Sequence, residues 1–429
     1  MRSGRGRFGS FYEVHLCAAA RTRAGGHTHE LHHGATSWAP RPCLRRRPVR
    51  EAVPPETFGG VCVQSGPKFG VSSARSPDTV VAFLGPRHGR AFLFLALLGL
   101  TGCLPYSCQP QANEALYPSD SLSRRVAQRT PADTLDSLWA TTGTQAHPLK
   151  HPRTVRFGPK GGLAVSDVER NSLFRFGPEG RLRREGAGQG FQTPYLIGTR
   201  GDTLVVFNAG SNRVDFVVDG VRVAARSVPY ERPAAETLVY MLATDTSLYA
   251  KVLGQETDSF IARLDEDGTP TARAPLQGPY WRYAGFLRAW GDTLVSLSGF
   301  RPVVDVLPPA FRDGTAPDSL ALVGFDSPML ERSYAFGQGD VTEAPLLTPA
   351  AAPVGDTLFV LNLRPGWVQV DAYDRRGRLQ RRLVEPREST RPNFYPLDLD
   401  VRRTAEGYRF AITLRSPEPR LEVFRWRPE

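Results

Sequence analysis

The sequence predicts an all-β chain folded as a six-bladed β-propeller, and three observations carry that prediction. From about Asp133 onward, short runs rich in Val, Leu, Phe and Tyr are separated by Gly, Asp, Asn and Pro, the texture of many strands joined by tight turns. The tetrad GDTL occurs three times, at 201–204, 291–294 and 355–358, each time followed by apolar strand residues (VVF, VSL, FVL). Looser counterparts, GGLAV at 161–165, TDTSLYAKV from Thr244 and EGYRFAI at 406–412, raise the number of units to six. Measured at Leu163, Leu204, Leu248, Leu294, Leu358 and Phe410, the steps are 41, 44, 46, 64 and 52 residues. One four-stranded blade needs about that length, and the longer steps absorb loop insertions.

The elements follow in order. In the first unit the strands VRF and LAVSD flank a Gly turn, and LFRF and GRL follow across a second. In the GDTL units the glycine supplies a positive φ, and the aspartate is expected to close an Asx-turn, which makes it a turn residue rather than a catalytic one. The last strand, LEVFRW at 421–426, matches the third strand of a blade, and only three residues follow it. The missing fourth strand is expected from TLDSLWATTG at 134–143, so that strands from both ends of the region close the ring and leave no open edge. A short helix over 133–140 is the alternative. No ten-residue amphipathic helical pattern stands out.

The segment HPRTVRFGPKGGLAVSDVERNSLFRFGPEGRLRREGAGQGFQTP resembles an NHL-type propeller repeat through Pro152, VRF, LAVSD, Asn171, LFRF and GRL. GDTLVVFNAGSNRVDFVVDGVRV, with Asn212-Arg213-Val214, repeats the pattern more loosely, and later units match mainly in spacing. The whole is similar to the six-bladed propeller lipoproteins of Bacteroidetes-like bacteria, a group largely without assigned chemistry.

Upstream of the propeller lies RHGRAFLFLALLGLTGC at 87–103: a basic flank, a ten-residue apolar run and a small-residue exit before Cys103. Ten apolar residues suffice for a signal peptide and fall short of the ~20 needed to span a bilayer. Leu100-Thr101-Gly102-Cys103 resembles a lipobox, which implies acylation at Cys103 and lasting attachment through two or three chains. The expected organisation is therefore a disordered extension over 1–86, a lipoprotein signal peptide over 87–102, a flexible tether over 103–132 and the propeller over 133–429. The extension reads as a start assigned too far upstream in a GC-rich genome, in keeping with 50 Arg against 4 Lys. Its His27, His29, His32 and His33 lack any surrounding fold that would fix them as metal ligands.

That division reallocates charge and cysteine. Residues 1–102 hold a net +9 of the chain's +11, so the remainder is nearly neutral and nucleic acid is not an expected partner. Cys17, Cys43 and Cys62 fall in the extension, and none of the residues 109–429 is a cysteine. The propeller is expected to stand on an ordinary core without disulfides.

Propellers bind ligands around the channel mouth with the loops that join blades. Those links are aromatic here and carry arginine: Tyr195; Tyr230 with Arg232; Trp281, Arg282 and Tyr283; Arg391 with Tyr395. Such groups suit sugar rings, peptide side chains and carboxylates, although aromatics at blade entries also fill the wedge between sheets. The favoured reading is a membrane-anchored, exported binding or scaffold module for a protein, peptide or glycan, held at the periplasmic or outer-membrane face. The alternative is a metal-dependent lactonase-like hydrolase using the channel, in which Asp167, Asn208, Asn362 and Asp400 could approach the axis. The balance is against an enzyme: there is no GxSxG elbow, no cysteine in the propeller, and its only histidines, His147 and His151, lie before or at the first blade. No catalytic residue, metal ligand or cofactor is assigned.

Overall fold

In the computed structural model the residues described are 120–428, apart from 187–189, 230–236, 255–257, 387–390 and 392. Signal, lipobox and extension therefore lie outside the described residues, as do Tyr230 and Arg232. The described part begins with a helix, α1 (Asp120–Arg129), and two short strands, β1 (Ala132–Thr134) and β2 (Asp136–Thr141). Blade 1 is built from β3 (Pro152–Phe157), β4 (Leu163–Asp167), β5 (Ser172–Phe176) and β6 (Leu182–Glu185). Blade 2 holds β7 (Pro194–Arg200), β8 (Thr203–Asn208), β9 (Arg213–Val218) and β10 (Val221–Ser227). Blade 3 holds β11 (Leu238–Ala243), β12 (Leu248–Leu253), β13 (Ser259–Leu264) and β14 (Pro270–Leu276). Blade 4 holds β15 (Leu287–Trp290), β16 (Thr293–Leu297), β17 (Val303–Leu307) and β18 (Asp318–Ala321), with a helix, α2 (Leu330–Gln338), after it. Blade 5 holds β19 (Ala350–Val354), β20 (Thr357–Leu363), β21 (Val368–Tyr373) and β22 (Leu379–Val384). Blade 6 holds β23 (Tyr395–Thr404), β24 (Gly407–Ser416) and β25 (Arg420–Trp426).

The six first strands touch in a closed circuit, β3 to β7, β11, β15, β19, β23 and back to β3, so they line the axis of a six-bladed β-propeller. The six marker residues all fall on second strands, and the long fourth step contains α2. In all three GDTL units, strands end one residue before the glycine and resume one residue after the aspartate, at Arg200/Thr203, Trp290/Thr293 and Val354/Thr357. Gly201, Gly291 and Gly355 have φ of 55°, 61° and 58°, the two-residue hairpin with glycine at its first position. Among the described residues, Asp202, Asp292 and Asp356 accept no backbone N–H. The Asx-turn role belongs instead to Asp265 and Asp374, which each take two backbone N–H groups in the last hairpin of their blades.

Closure follows the expected rule and adds a second strand. β2 pairs antiparallel with β25 as the outer strand of blade 6, and β1 pairs parallel with β22 as a fifth strand on blade 5. Leu135, between them, is fully buried. Part of the segment read as a tether is thus folded. In α1, Ser123, Val126 and Ala127 are buried, and Val126 packs with Phe325 and Leu379 against blades 4 and 5. Mostly polar and arginine-rich, the helix carries too few apolar residues for a periodic pattern to show.

The core is divided into six apolar wedges between neighbouring blades. The wedge between blades 5 and 6 is aromatic, with Phe359 5.2 Å from Phe410 and 5.3 Å from Tyr408. Each large side chain so buried contributes roughly 1.5–3 kcal/mol. Between blades 2 and 3 the inner strands come so close that a Cβ on Gly198 would lie 2.3 Å from the Ala243 carbonyl oxygen.

Candidate ligand face and channel

First strands of a propeller are apolar toward the wedges on either side, so a charge within one must face the axis or be matched inside. Four first strands here carry polar or charged interruptions: Arg153 and Arg156 in PRTVRF, Tyr240 in LVYMLA, Arg288 in LRAW, Asp398 and Asp400 in YPLDLDVRRT. In the structure they fall into two groups.

One group is an ion-pair layer. Asp398 of blade 6 is fully buried and accepts from Arg156 Nη1 of blade 1 at 2.8 Å and from Arg288 Nη2 of blade 4 at 2.7 Å. Its Oδ2 also accepts the Val155 backbone N–H at 3.0 Å. Arg288 completes its set with the carbonyls of Ala351 (2.9 Å) and Leu287 (3.0 Å). One carboxylate thus ties three blades across the axis, with both oxygens engaged by guanidinium. Asp400 accepts the Phe157 N–H at 2.7 Å. Burial pushes its carboxyl pKa up, the Arg156 charge and that hydrogen bond pull it back down, and Asp398 adds to the rise. Burial, followed by repulsion from Arg156, lowers the Arg288 guanidinium to about 10.

The other group is aromatic and cationic. Phe286, just before β15, has two guanidiniums near its ring: Arg153 at 5.5 Å and Arg288 at 4.9 Å. Tyr240 meets the same ring edge-on at 5.9 Å. Part of Tyr240 is exposed, yet burial of its hydroxyl pushes the pKa up to about 12, against a lowering by Arg153 and with a further small rise from Tyr195. Lys251 stands behind Tyr240, its Nζ 5.0 Å from the ring. It donates to the carbonyl oxygens of Tyr283 (2.6 Å) and Leu297 (3.3 Å) and to Ser296 Oγ (3.1 Å), and burial lowers its pKa to about 7.

The residues singled out from the sequence are distributed as follows. Tyr280–Tyr283 form a 3-10 turn on the link between blades 3 and 4. Tyr283 is buried in the wedge, its hydroxyl donating to the Gln277 carbonyl at 2.8 Å. Arg282 lies over the Tyr283 ring at 5.3 Å, and partly exposed Trp281 meets Phe336 of α2 edge-on at 4.6 Å. Tyr195 begins blade 2 partly exposed and packs against the wedge with blade 3. Tyr395 opens β23, also partly exposed. Arg391 is 8 % exposed and pairs with Glu385 at 2.5 Å and Glu422 at 2.8 Å, over the Phe394 ring at 4.2 Å. It fastens blade 5 to blade 6.

The four possible metal ligands each have separate work. Asp167 accepts the N–H groups of Lys150, His151 and Arg170. Asn208 binds the Gln192 N–H, the Gly190 carbonyl and Asp215, whereas Asn362 binds the Asp326 carbonyl and Asp371. Asp400 accepts the Phe157 N–H beside the ion-pair layer. No group of three or more His, Cys, Asp or Glu side chains converges among the described residues. Nor, among them, is any helix long and apolar enough to cross a membrane. The sequence reading missed the axial set of Arg153, Arg156, Tyr240, Phe286, Arg288 and Asp398. Charges inside strands otherwise made of Val, Leu and Phe were the available sign.

No known protein family matches the chain, and no curated protein matches it. Solved structures do. A streptogramin B lyase is 10% identical, with 67% of this chain and 98% of that chain covered and a TM-score of 0.41. The β-propeller domain of Cps50 (Swd1) from Myceliophteria thermophila is 12% identical, covering 68% and 100% with a TM-score of 0.43. Regucalcin from Agrobacterium tumefaciens, a calcium-binding protein, is 12% identical, covering 70% and 97% with a TM-score of 0.44. At such identities the likeness is one of fold alone, and proteins of varied function share it.

Proposed function

We propose that this chain is an exported propeller, anchored through an acylated Cys103, that binds a protein, peptide or glycan on the face where blades are joined. The observation that carries the binding reading is the state of the axial carboxylates: Asp398 is taken up by two arginines, whereas partly exposed tyrosine, tryptophan and arginine surround the blade entries. A hydrolytic metal centre needs oxygen ligands free to coordinate. The lipobox-like Leu100–Cys103 sequence supports the anchor.

Peptide and glycan arrays probed with the full chain test the reading. A bound class whose signal falls about tenfold in Trp281→Ala, with the fold intact, is the expected result, since a stacked aromatic contributes on that order. Array binding unchanged by Trp281→Ala would remove this face from the proposal. Calcium-dependent hydrolysis of a lactone panel would replace the binding module with the hydrolase. Intact-mass measurement of protein extracted from membranes tests the anchor separately: two or three acyl chains on Cys103 are expected, and an unmodified upstream sequence would overturn it.

A further inference from the structure

Arg153 differs from the other arginines of the axis. Arg156, on the same strand, and Arg288 share Asp398, but among the described residues Arg153 makes no hydrogen bond or ion pair. The residue is partly exposed and its guanidinium rests over the Phe286 ring, which Tyr240 also meets edge-on. His151, two residues before Arg153, is held mostly neutral, its pKa lowered to about 4 by burial and then by the charges of Arg153 and exposed Arg415. Asp167, the carboxylate that acts on His151, accepts three backbone N–H groups. Among the described residues the site is therefore a cation with no carboxylate paired to it, resting over the Phe286 ring that it shares with Arg288.

We propose that the axial mouth binds a compact anionic group, a carboxylate or a phosphate carried by the ligand, with Arg153 as its counter-ion and Phe286 and Tyr240 against its body. This rests on the binding reading above and names the chemistry that the axis selects. A guanidinium held over a ring is oriented before the ligand arrives, so little side-chain freedom is lost when its fork meets a carboxylate or phosphate. Partial burial strengthens the contact relative to water, since the local dielectric is lower.

The experiment is a calorimetric titration of the full chain with benzoate, acetate, inorganic phosphate and, as the uncharged counterpart of benzoate, benzamide. Benzoate is expected to bind about tenfold or more tightly than benzamide, the ratio that one charge-assisted hydrogen bond supplies. Arg153→Gln should erase that ratio, and Arg153→Lys should restore part of it. Benzoate stronger than phosphate assigns a carboxylate ligand; the reverse order assigns a phosphate ester. Equal binding of benzoate and benzamide, no binding of any probe, or a ratio that survives in Arg153→Gln would overturn the proposal. Trp281→Ala separates the two levels. Array binding lost in that variant, with no preference for anions at the axis, would sink the anionic site and leave the binding module standing.

Discussion

Two arginines that look alike in the sequence behave in opposite ways. Arg391 stands beside aromatic residues at the entry to blade 6, and Arg153 stands within the first strand of blade 1. Arg391 is sealed between Glu385, which follows β22, and Glu422, on β25, and it acts as a bolt between blades 5 and 6. Arg153 lies over the Phe286 ring and, among the described residues, pairs with no carboxylate. What separates a structural arginine from an available one is thus the acid that a distant strand brings to it. Glu422 lies 31 residues beyond Arg391, and no local pattern reveals the meeting.

The comparison can be broken most strongly at the axis itself. Asp398→Ala would strand the Arg156 and Arg288 guanidiniums in the channel without a counter-ion. A loss of about 4–5 kcal/mol in unfolding free energy is expected, measured by denaturant titration, because a buried charge left without its partner costs that much. A loss below about 1 kcal/mol would mean that water satisfies the arginines and that the layer is not a staple.

Arg391→Ala should cost about 3 kcal/mol in the same measurement, since it leaves the buried Glu385 carboxylate without its cation, while Glu422 keeps Arg420 at 2.6 Å. Protonation of that carboxylate relieves part of the penalty, so the loss should shrink as pH falls toward the carboxylate range. A cost independent of pH would point to lost packing over Phe394 rather than to charge.

Lys251 sharpens the contrast from the other side, as a buried cation with neutral partners only in direct contact. Its pKa falls from 10.5 to about 7 on folding, so between those values the unfolded chain binds a proton that the folded chain has released. Stability from this residue is accordingly lowest below pH 7 and rises toward pH 10, by about 1.4 kcal/mol per pH unit at most. Urea unfolding at several pH values in that window should show the slope in the parent chain and not in Lys251→Met. Equal slopes in the two chains would mean that Lys251 keeps its proton throughout.

The smallest expected effect is the most diagnostic. Arg153→Gln should change stability by no more than about 0.5–1 kcal/mol, the worth of a partly exposed cation–π contact. A thermal melt showing a loss as large as that of Arg391→Ala would make Arg153 a second bolt and end the distinction.

Much of the fold was legible because its causes are local. The GDTL hairpins need a positive φ at one fixed position, and Gly201, Gly291 and Gly355 supply it. Their spacing counted the blades, and the three-strand ending at 421–426 implied a strand from upstream, which β2 provides. The role assigned to the GDTL aspartates was misplaced because Gly alone satisfies a two-residue loop, while the longer hairpins at Asp265 and Asp374 need a side-chain acceptor. Helix α1 was missed for a related reason. It is held by Val126 and Ala127 against a distant wedge rather than by an apolar stripe of its own.

The candidate site divides along the same line. Trp281, Arg282 and Tyr283 could be placed on a blade link from sequence, but their different fates could not. Tyr283 is buried, Trp281 is partly exposed against α2, and Arg282 lies between them over the Tyr283 ring. That outcome depends on an insertion some fifty residues away.

By itself, then, the sequence determined the repeat, the strand texture, the hairpin chemistry and the need for a closing strand, since each depends on neighbours a few residues apart or on a regular period. Only the tertiary structure decided which charges meet. Asp398 lies 242 residues from Arg156 and 110 from Arg288, and circular closure of the ring brings all three to one point. Among the described residues, the same closure leaves Arg153 without an acid, because electrostatic pairing acts over a few ångströms while the chain carries its partners hundreds of residues apart.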